Sequence, residues 1–259
     1  FFLIRVNNKL NIKMKFKNII LYGGTSQISV NLIKLYINET EKIIIFCRSK
    51  NKFKEIYPDF KDHINKIQIF EVNLEDLEKN LEIVNKFNED ISGVFWISGF
   101  TGNAEIEYQD IIKAKNNLNI NLIHPIIIIN EISKKMVKNK NSFIVGLSSV
   151  AGIKGRKKQL FYSPAKSGLI SYLSGLRQKL HEHKIHVMTV IPGYINTEPF
   201  KKMSINAPKF LVTEPNKAAL IIRKSLIKKK EIIYINFLWN FIMKIVNVIP
   251  EKIFKRFSF

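Results

Sequence analysis

The chain has 259 residues, of which 46% are hydrophobic, and a formal charge of +21. That hydrophobic content excludes a disordered chain, and the length suits one α/β domain with a substantial core. The single cysteine, Cys47, excludes a disulfide framework and fits a reducing, cytoplasmic setting. A charge this basic would suit nucleic acid, but the lysines are scattered and no nucleic-acid module is legible. No nucleic-acid partner is expected, and attraction to an anionic membrane surface is the stronger inference.

Residues 1–16 read as an extension ahead of the fold. Their apolar start is broken by Arg5 and Asn7, there is no small-residue cleavage site, and Met14 is a natural start. The domain proper is expected over residues 17–236. Asn18–Tyr22 predicts a short buried strand, followed by Gly23-Gly24-Thr25-Ser26 and a helix over Ile28–Ile37. Strand, glycine turn and helix in that order make a phosphate-binding crossover, or a tight turn with no ligand. Further strands are predicted at Ile43–Cys47, Lys66–Val72, Gly93–Ser98, Ser142–Ser148, Ile185–Ile191 and Ile232–Ile235. Helices are predicted over Leu74–Phe87, Ile111–Val137 with an interruption near Pro125, Phe161–His183 and Pro215–Lys228. The alternation implies a Rossmann-type, doubly wound parallel sheet of about seven strands, covered on both faces.

The chemistry concentrates between Ser148 and Lys166. Tyr162 and Lys166 are four apart and share a helix face, with Ser149 upstream at a strand end. A cation beside a phenol favours the phenolate, so Lys166 is expected to draw the Tyr162 pKa downward. With a serine to steady the substrate oxygen, this is an acid/base device for interconverting alcohol and carbonyl. The tetrapeptide alone is common by chance in a lysine-rich chain. His124, His181, His183 and His186 lack acidic partners at ligand spacing, and no metal is expected.

Together these residues resemble the short-chain dehydrogenase/reductase family, over nearly the whole chain from Lys17. The turn at Gly23 resembles its Gly-x-x-x-Gly-x-Gly, with Gln27 and Ser29 in place of the later glycines. Ser98-Gly99 stands where the family has Asn-Ala-Gly. Asn121 resembles the asparagine of its catalytic tetrad, completed by Ser149, Tyr162 and Lys166. Pro192-Gly193-Tyr194-Ile195-Asn196-Thr197 is similar to its nicotinamide loop. The resemblance implies a dinucleotide held by Gly23, Thr25, Ser26, Gln27, Ile28, Asn73, Leu74, Ser98, Gly99, Tyr162, Lys166, Pro192, Gly193, Ile195 and Thr197. It also implies that Asn121 anchors a water linking Lys166 to solvent, that residues 198–213 close over the substrate, and that the protein is a homo-oligomer paired through the helices bearing Asn121 and Tyr162.

After the second strand the chain has Arg48-Ser49-Lys50 where an acidic residue would select NAD. Arg48 and Lys50 can neutralise a 2′-phosphate and Ser49 can donate to it, which favours NADP(H) over NAD(H). The alternative is a set of solvated loop charges. Within the family, the Gly-Gly-Thr-Ser-Gln-Ile turn and the tail at Trp239–Lys255 are similar to the decaprenylphosphoryl-2-keto-ribose reductases. That resemblance implies a polyprenyl-phosphate keto-sugar as substrate, a flavin-dependent sugar oxidase as partner, and a place in cell-envelope polysaccharide synthesis. The tail, residues 237–259, is apolar and aromatic with a basic flank, which suits the inner face of a bilayer; packing on the core or on a partner subunit explains it equally well. Lys154, Arg156, Lys157 and Lys158 can bind a substrate phosphate or form a solvated charge run. Competing readings are a 3-oxoacyl or steroid-like carbonyl substrate, a non-catalytic dinucleotide-binding protein, and a membrane- or partner-binding module.

Overall fold

The computed structural model describes residues 16–139, 141–202 and 207–257. The strands of the main sheet are β1 (Phe16–Tyr22), β2 (Thr40–Cys47), β3 (Ile67–Glu71), β4 (Ile91–Trp96), β5 (Phe143–Leu147), β6 (His186–Ile191) and, last in the chain, Ile232–Tyr234. Between β6 and that last strand run β7 (Tyr194–Ile195) and β8 (Val212–Thr213), which pair only with each other; Ile232–Tyr234 is therefore β9. The helices are α1 (Gln27–Tyr36), α2 (Lys50–Ile56), α3 (Leu77–Asn85), α4 (Ala104–Gln109), α5 (Ile111–Leu118), α6 (His124–Met136), α7 (Tyr162–Leu180), α8 (Glu198–Lys202), α9 (Pro215–Ile227), α10 (Phe237–Val248) and α11 (Glu251–Phe254).

The seven strands are parallel and run in the order β3-β2-β1-β4-β5-β6-β9. Consecutive β1 residues alternate between two cores, as a pleated strand requires. Ile19 and Leu21 join the core beneath α1 and α9, while Ile20 and Tyr22 join the one beneath α3, α6 and α7. β2 does the same, with Ile43 and Ile45 on one side and Ile44 and Phe46 on the other. The predicted doubly wound sheet is therefore present. Because the winding reverses between β1 and β4, a crevice opens beyond their carboxyl ends.

Several boundaries differ from the sequence reading. β1 takes in Phe16, which is 6% exposed, whereas the extension was expected to reach residue 16; the rest of the extension, Met14 included, lies outside the described residues. The interruption expected near Pro125 is a π turn at Asn119–Ile123, just before it. Pro125 has no N–H to return to residue 121, and the helix widens there rather than breaking. The short helices α2, α4 and α8 and the β7–β8 pair were not predicted, because runs of seven residues or fewer carry little periodicity.

Candidate active site

The first wall of the crevice is the glycine turn after β1. Gly23 has φ +90, and a Cβ there would lie 2.8 Å from Ser98 Oγ and 2.9 Å from Ser98 N, so the turn presses directly on the end of β4. At Gly24 a Cβ would stand 2.2 Å from an Ile45 methyl. Ser26 caps α1 by accepting from Ile28 N at 3.3 Å. Ser29, expected to intrude where the family has glycine, is fully buried and donates to the Gly23 carbonyl at 2.8 Å, bracing the turn from below. Thr25 and Ser26 are partly exposed along this wall, Gln27 is exposed and Ile28 is buried. This cradle of close glycines and a capped helix start fits a dinucleotide pyrophosphate.

Arg48 and Lys50 are exposed beyond β2. Ser49 Oγ caps α2 by accepting from Lys52 N at 3.2 Å, and Glu71 Oε2 accepts from Lys50 N at 2.8 Å. Asn73 is exposed beside them and Leu74 is half-buried, its carbonyl bonded to His124 Nδ1.

The second wall carries the predicted tetrad, and the fold brings all four residues together. Tyr162 opens α7, and Lys166 follows one turn later, its Nζ 5.6 Å from the Tyr162 ring centre. Ser149 leads out of β5; its hydroxyl accepts from Ala151 N at 3.1 Å, and it lines the same cavity as Tyr162. The neighbouring Ser148 donates from its hydroxyl to the Lys166 carbonyl at 2.8 Å, tying the strand end to α7. Lys166 is 2% exposed and its Nζ donates to Leu147 O at 3.3 Å. Asn121 sits in the π turn, fully buried, and its Oδ1 accepts from Phe100 N at 3.0 Å. A Cβ on Gly99 would stand 3.0 Å from Lys166 Nζ and 3.2 Å from Asn121 Oδ1, so the turn after β4 lies directly against both.

Burial dominates the electrostatics. Desolvation pushes the Tyr162 phenol up to about 12, against the opposing hydrogen bond from Ser149. Desolvation likewise brings Lys166 down to about 8. The sequence predicts that Lys166 draws the phenol downward; the shift runs the other way because loss of water dominates it. A buried ammonium whose hydrogen-bond partner among the described residues is the Leu147 carbonyl is suited to gain a polar ligand, as ribose hydroxyls would provide.

The third wall was largely hidden in the sequence. Pro192 is buried and its carbonyl accepts from Val150 N at 2.9 Å. A Cβ on Gly193 would fall 1.9 Å from Trp239 Nε1, so α10 seals this loop from outside. The Trp239 indole donates to Leu211 O at 3.0 Å, and its ring meets Tyr194 edge-on at 5.2 Å. Ile195 is buried, and Thr197 donates from Oγ1 to Ile195 O at 3.3 Å. Between this wall and Tyr162 lies a cavity of about 250 Å³, bounded by Ser149, Arg156, Tyr162, Tyr194, Thr197 and Phe200. Part of the 198–213 loop, residues 203–206, lies outside the described residues.

Two supporting residues were missed. Glu107, 4% exposed, accepts from Asn117 Nδ2 at 2.7 Å, and Asn117 Oδ1 accepts from Asn121 Nδ2 at 2.9 Å. The four-residue step from Asn117 to Asn121 was the available signal; Glu107 gave none, because an acid on a six-residue helix normally faces water.

A crossover that cradles pyrophosphate, together with a Ser-Tyr-Lys cluster at one cavity, defines a dinucleotide-dependent oxidoreductase. The short chain dehydrogenase family profile matches residues 17–207, and the chain belongs to that family. It is 21% identical over 192 residues to an uncharacterized oxidoreductase of Staphylococcus saprophyticus, covering 72% of this chain and 81% of that protein. It is 28% identical over 193 residues to a 3-oxoacyl-(acyl-carrier-protein) reductase of Rickettsia typhi, covering 73% and 76%. Among solved structures, a Burkholderia cenocepacia short chain dehydrogenase in complex with NADP superposes with a TM-score of 0.76 at 17% identity, covering 94% of this chain and 98% of that one. The NADPH complex of a Sphingobium yanoikuyae short-chain dehydrogenase gives 0.75 at 14%, covering 91% and 97%.

Proposed function

We propose that this oxidoreductase uses NADPH to reduce a ketone to an alcohol on a lipid-linked keto-sugar, with Tyr162 as the proton donor. The observation that carries the reading is that Ser149 and Tyr162 line one cavity, with Lys166 and Asn121 together behind them at Gly99. Bound NADPH would supply the hydride. Tyr162, protonated across the physiological range, gives its proton to the oxygen that the Ser149 hydroxyl orients. Lys166 would hold the ribose hydroxyls and return a proton to Tyr162. Asn121 braces the turn at Gly99 beside Lys166, and the proton path to solvent starts at the widened π turn.

Arg48, Ser49 and Lys50 support the choice of NADPH. The sugar and lipid come from the resemblance of the turn and tail, which also implies a flavin-dependent sugar oxidase as the source of the ketone. The tail contributes a physical argument. Phe237, Phe241, Ile245 and Val248 form one exposed stripe on α10, and the exposed cations Lys244, Lys252, Lys255 and Arg256 belong to the same tail. That pairing fits an anionic bilayer at the cytoplasmic face, where a lipid-anchored substrate would wait. No described helix is long and apolar enough to cross a membrane. A second copy of the chain fits the other exposed apolar face, at Tyr108, Ile111 and Ile112.

The deciding experiment follows NADPH oxidation with a ketone substrate. Tyr162→Phe should cut turnover by about 100-fold or more while NADPH affinity stays nearly unchanged. Wild-type turnover in that variant overturns the assignment. A second reading, the same chemistry on a 3-oxoacyl thioester, draws on the names of the relatives; rapid turnover of acetoacetyl-CoA would favour it.

A further inference from the structure

A second cavity, of about 300 Å³, lies outside the first, between residues 155–160, the start of α7 and the tail around α11. The two share Arg156 and Gln159, so the outer room adjoins the one that holds Tyr162. Its polar lining is mostly cationic. Lys157 and Lys255 are exposed at its edge, and Arg156 is partly buried between the two cavities. Glu251 is the one acid among the lining residues and is paired with Lys154.

Two groups in this lining have no hydrogen-bond partner among the described residues. Ser163, 2% exposed, has a buried hydroxyl without a hydrogen bond, and so does the Gln159 Oε1. Buried polar atoms are rarely left so. Ser163 also lies in the first turn of a 19-residue helix whose cap, Phe161, offers no side-chain bond. The dipole of that helix therefore adds to the cations. The remaining lining is apolar: Leu160, Pro164, Phe254 and Phe257. The nucleotide's own phosphates belong elsewhere, at the Gly23 turn and Arg48, on the far side of β4 and β5.

We infer that the outer cavity binds the phosphoryl group of an amphiphilic substrate, a phosphate ester whose apolar chain leaves along Phe254 and Phe257. This rests on the reading that the inner cavity reduces the ketone of a lipid-linked sugar. The phosphate meets Arg156, Lys157, Lys255 and the Ser163 hydroxyl, and the carbonyl end passes Arg156 to reach Tyr162.

The test is calorimetric titration of the full chain, saturated with NADPH, with geranyl phosphate, geraniol and inorganic phosphate. Geranyl phosphate should bind at least tenfold tighter than either of the others. The Lys157→Glu/Lys255→Glu double variant should lose most of that preference, and Ser163→Ala should lose several-fold, while both keep wild-type NADPH affinity and melting temperature. Equal binding of geraniol and geranyl phosphate, or variants that bind like wild type, overturns the subsite. Inorganic phosphate binding as tightly as geranyl phosphate overturns the amphiphile. A chain that shows the charge-dependent binding but reduces no ketone overturns the catalytic reading instead, and the two failures remain separate.

Discussion

Tyr162 and Lys166 lie one helical turn apart, the first partly and the second almost wholly removed from water. Each consequently prefers its neutral form: the phenol holds its proton up to about 12 and the ammonium releases its own near 8. For a reductase this is a useful division, since the acid must arrive protonated. It also sets the pH dependence. kcat/KM for NADPH reports groups in the free enzyme, so it should be level below pH 8 and fall about tenfold per unit above it as Lys166 discharges. A Lys166→Arg variant should lose that limb, and a limb persisting in it would assign the titration to another group. The same shift has a sign for stability. Between about 8 and the ordinary lysine value the unfolded chain binds more protons than the folded one, so stability should rise with pH there, as denaturant midpoints would show. At the other end of the nucleotide, Arg48→Glu should lower the ratio of kcat/KM with NADPH to that with NADH by tenfold or more. An unchanged ratio would return Arg48 to the solvated loop charges.

At the scale of elements, the tail is the part whose role the fold alters most. α10 turns one face to the interior, with Trp239 5% and Met243 1% exposed, packed on Val150 and Ile191 near the tetrad. Its opposite face carries the exposed stripe. Of the alternatives the sequence left open, packing on the core is therefore present, and the outer face stays exposed. Trp239→Ala removes the back of the Gly193 loop and should cost about 3–5 kcal/mol of stability, with a raised KM for NADPH. Phe241→Ser/Val248→Ser alters only the outer stripe. It should leave the melting temperature within a few degrees and weaken co-sedimentation with anionic liposomes; unchanged sedimentation would remove the membrane from the account. The π turn is a second such element. It holds Asn121 within a chain of hydrogen bonds running from Glu107 through Asn117 to the Phe100 backbone. π turns inside α-helices frequently mark functional positions, and here the widening coincides with Pro125.

On the scale of the whole molecule, the parallel sheet converts sequence order into a site. Residues from β1, β4, β5, β6 and the tail, more than 200 positions apart in the chain, line one crevice because every strand points its carboxyl end the same way. The +21 charge belongs at this scale too. The proposed contact of the tail with an anionic surface would draw on it at long range. An Ile111→Glu/Ile112→Glu variant should shift an oligomer toward monomer in analytical ultracentrifugation if that exposed face meets a second copy.

The local chain carried much of this. The seven strands were legible because buried parallel strands are continuous apolar runs, and Tyr162, Lys166 and Ser149 because a helical step and a strand end are short-range features. Ser29 was legible as a departure from glycine, but its sense was not, since a hydroxyl in that place intrudes or braces depending on whether a carbonyl faces it; Gly23 O does. The sequence by itself determined the class of fold and the order of its elements, through periodicity, and set Ser149, Tyr162 and Lys166 together by spacing, while Asn121 entered through the family resemblance. Only the tertiary structure decided that Lys166 and Tyr162 are desolvated, that Trp239 closes the Gly193 loop, and that Ser163 and Arg156 face a second cavity. Those are contacts between distant segments, and burial, which sets both the pKa values and the shape of the site, exists only once the segments have met.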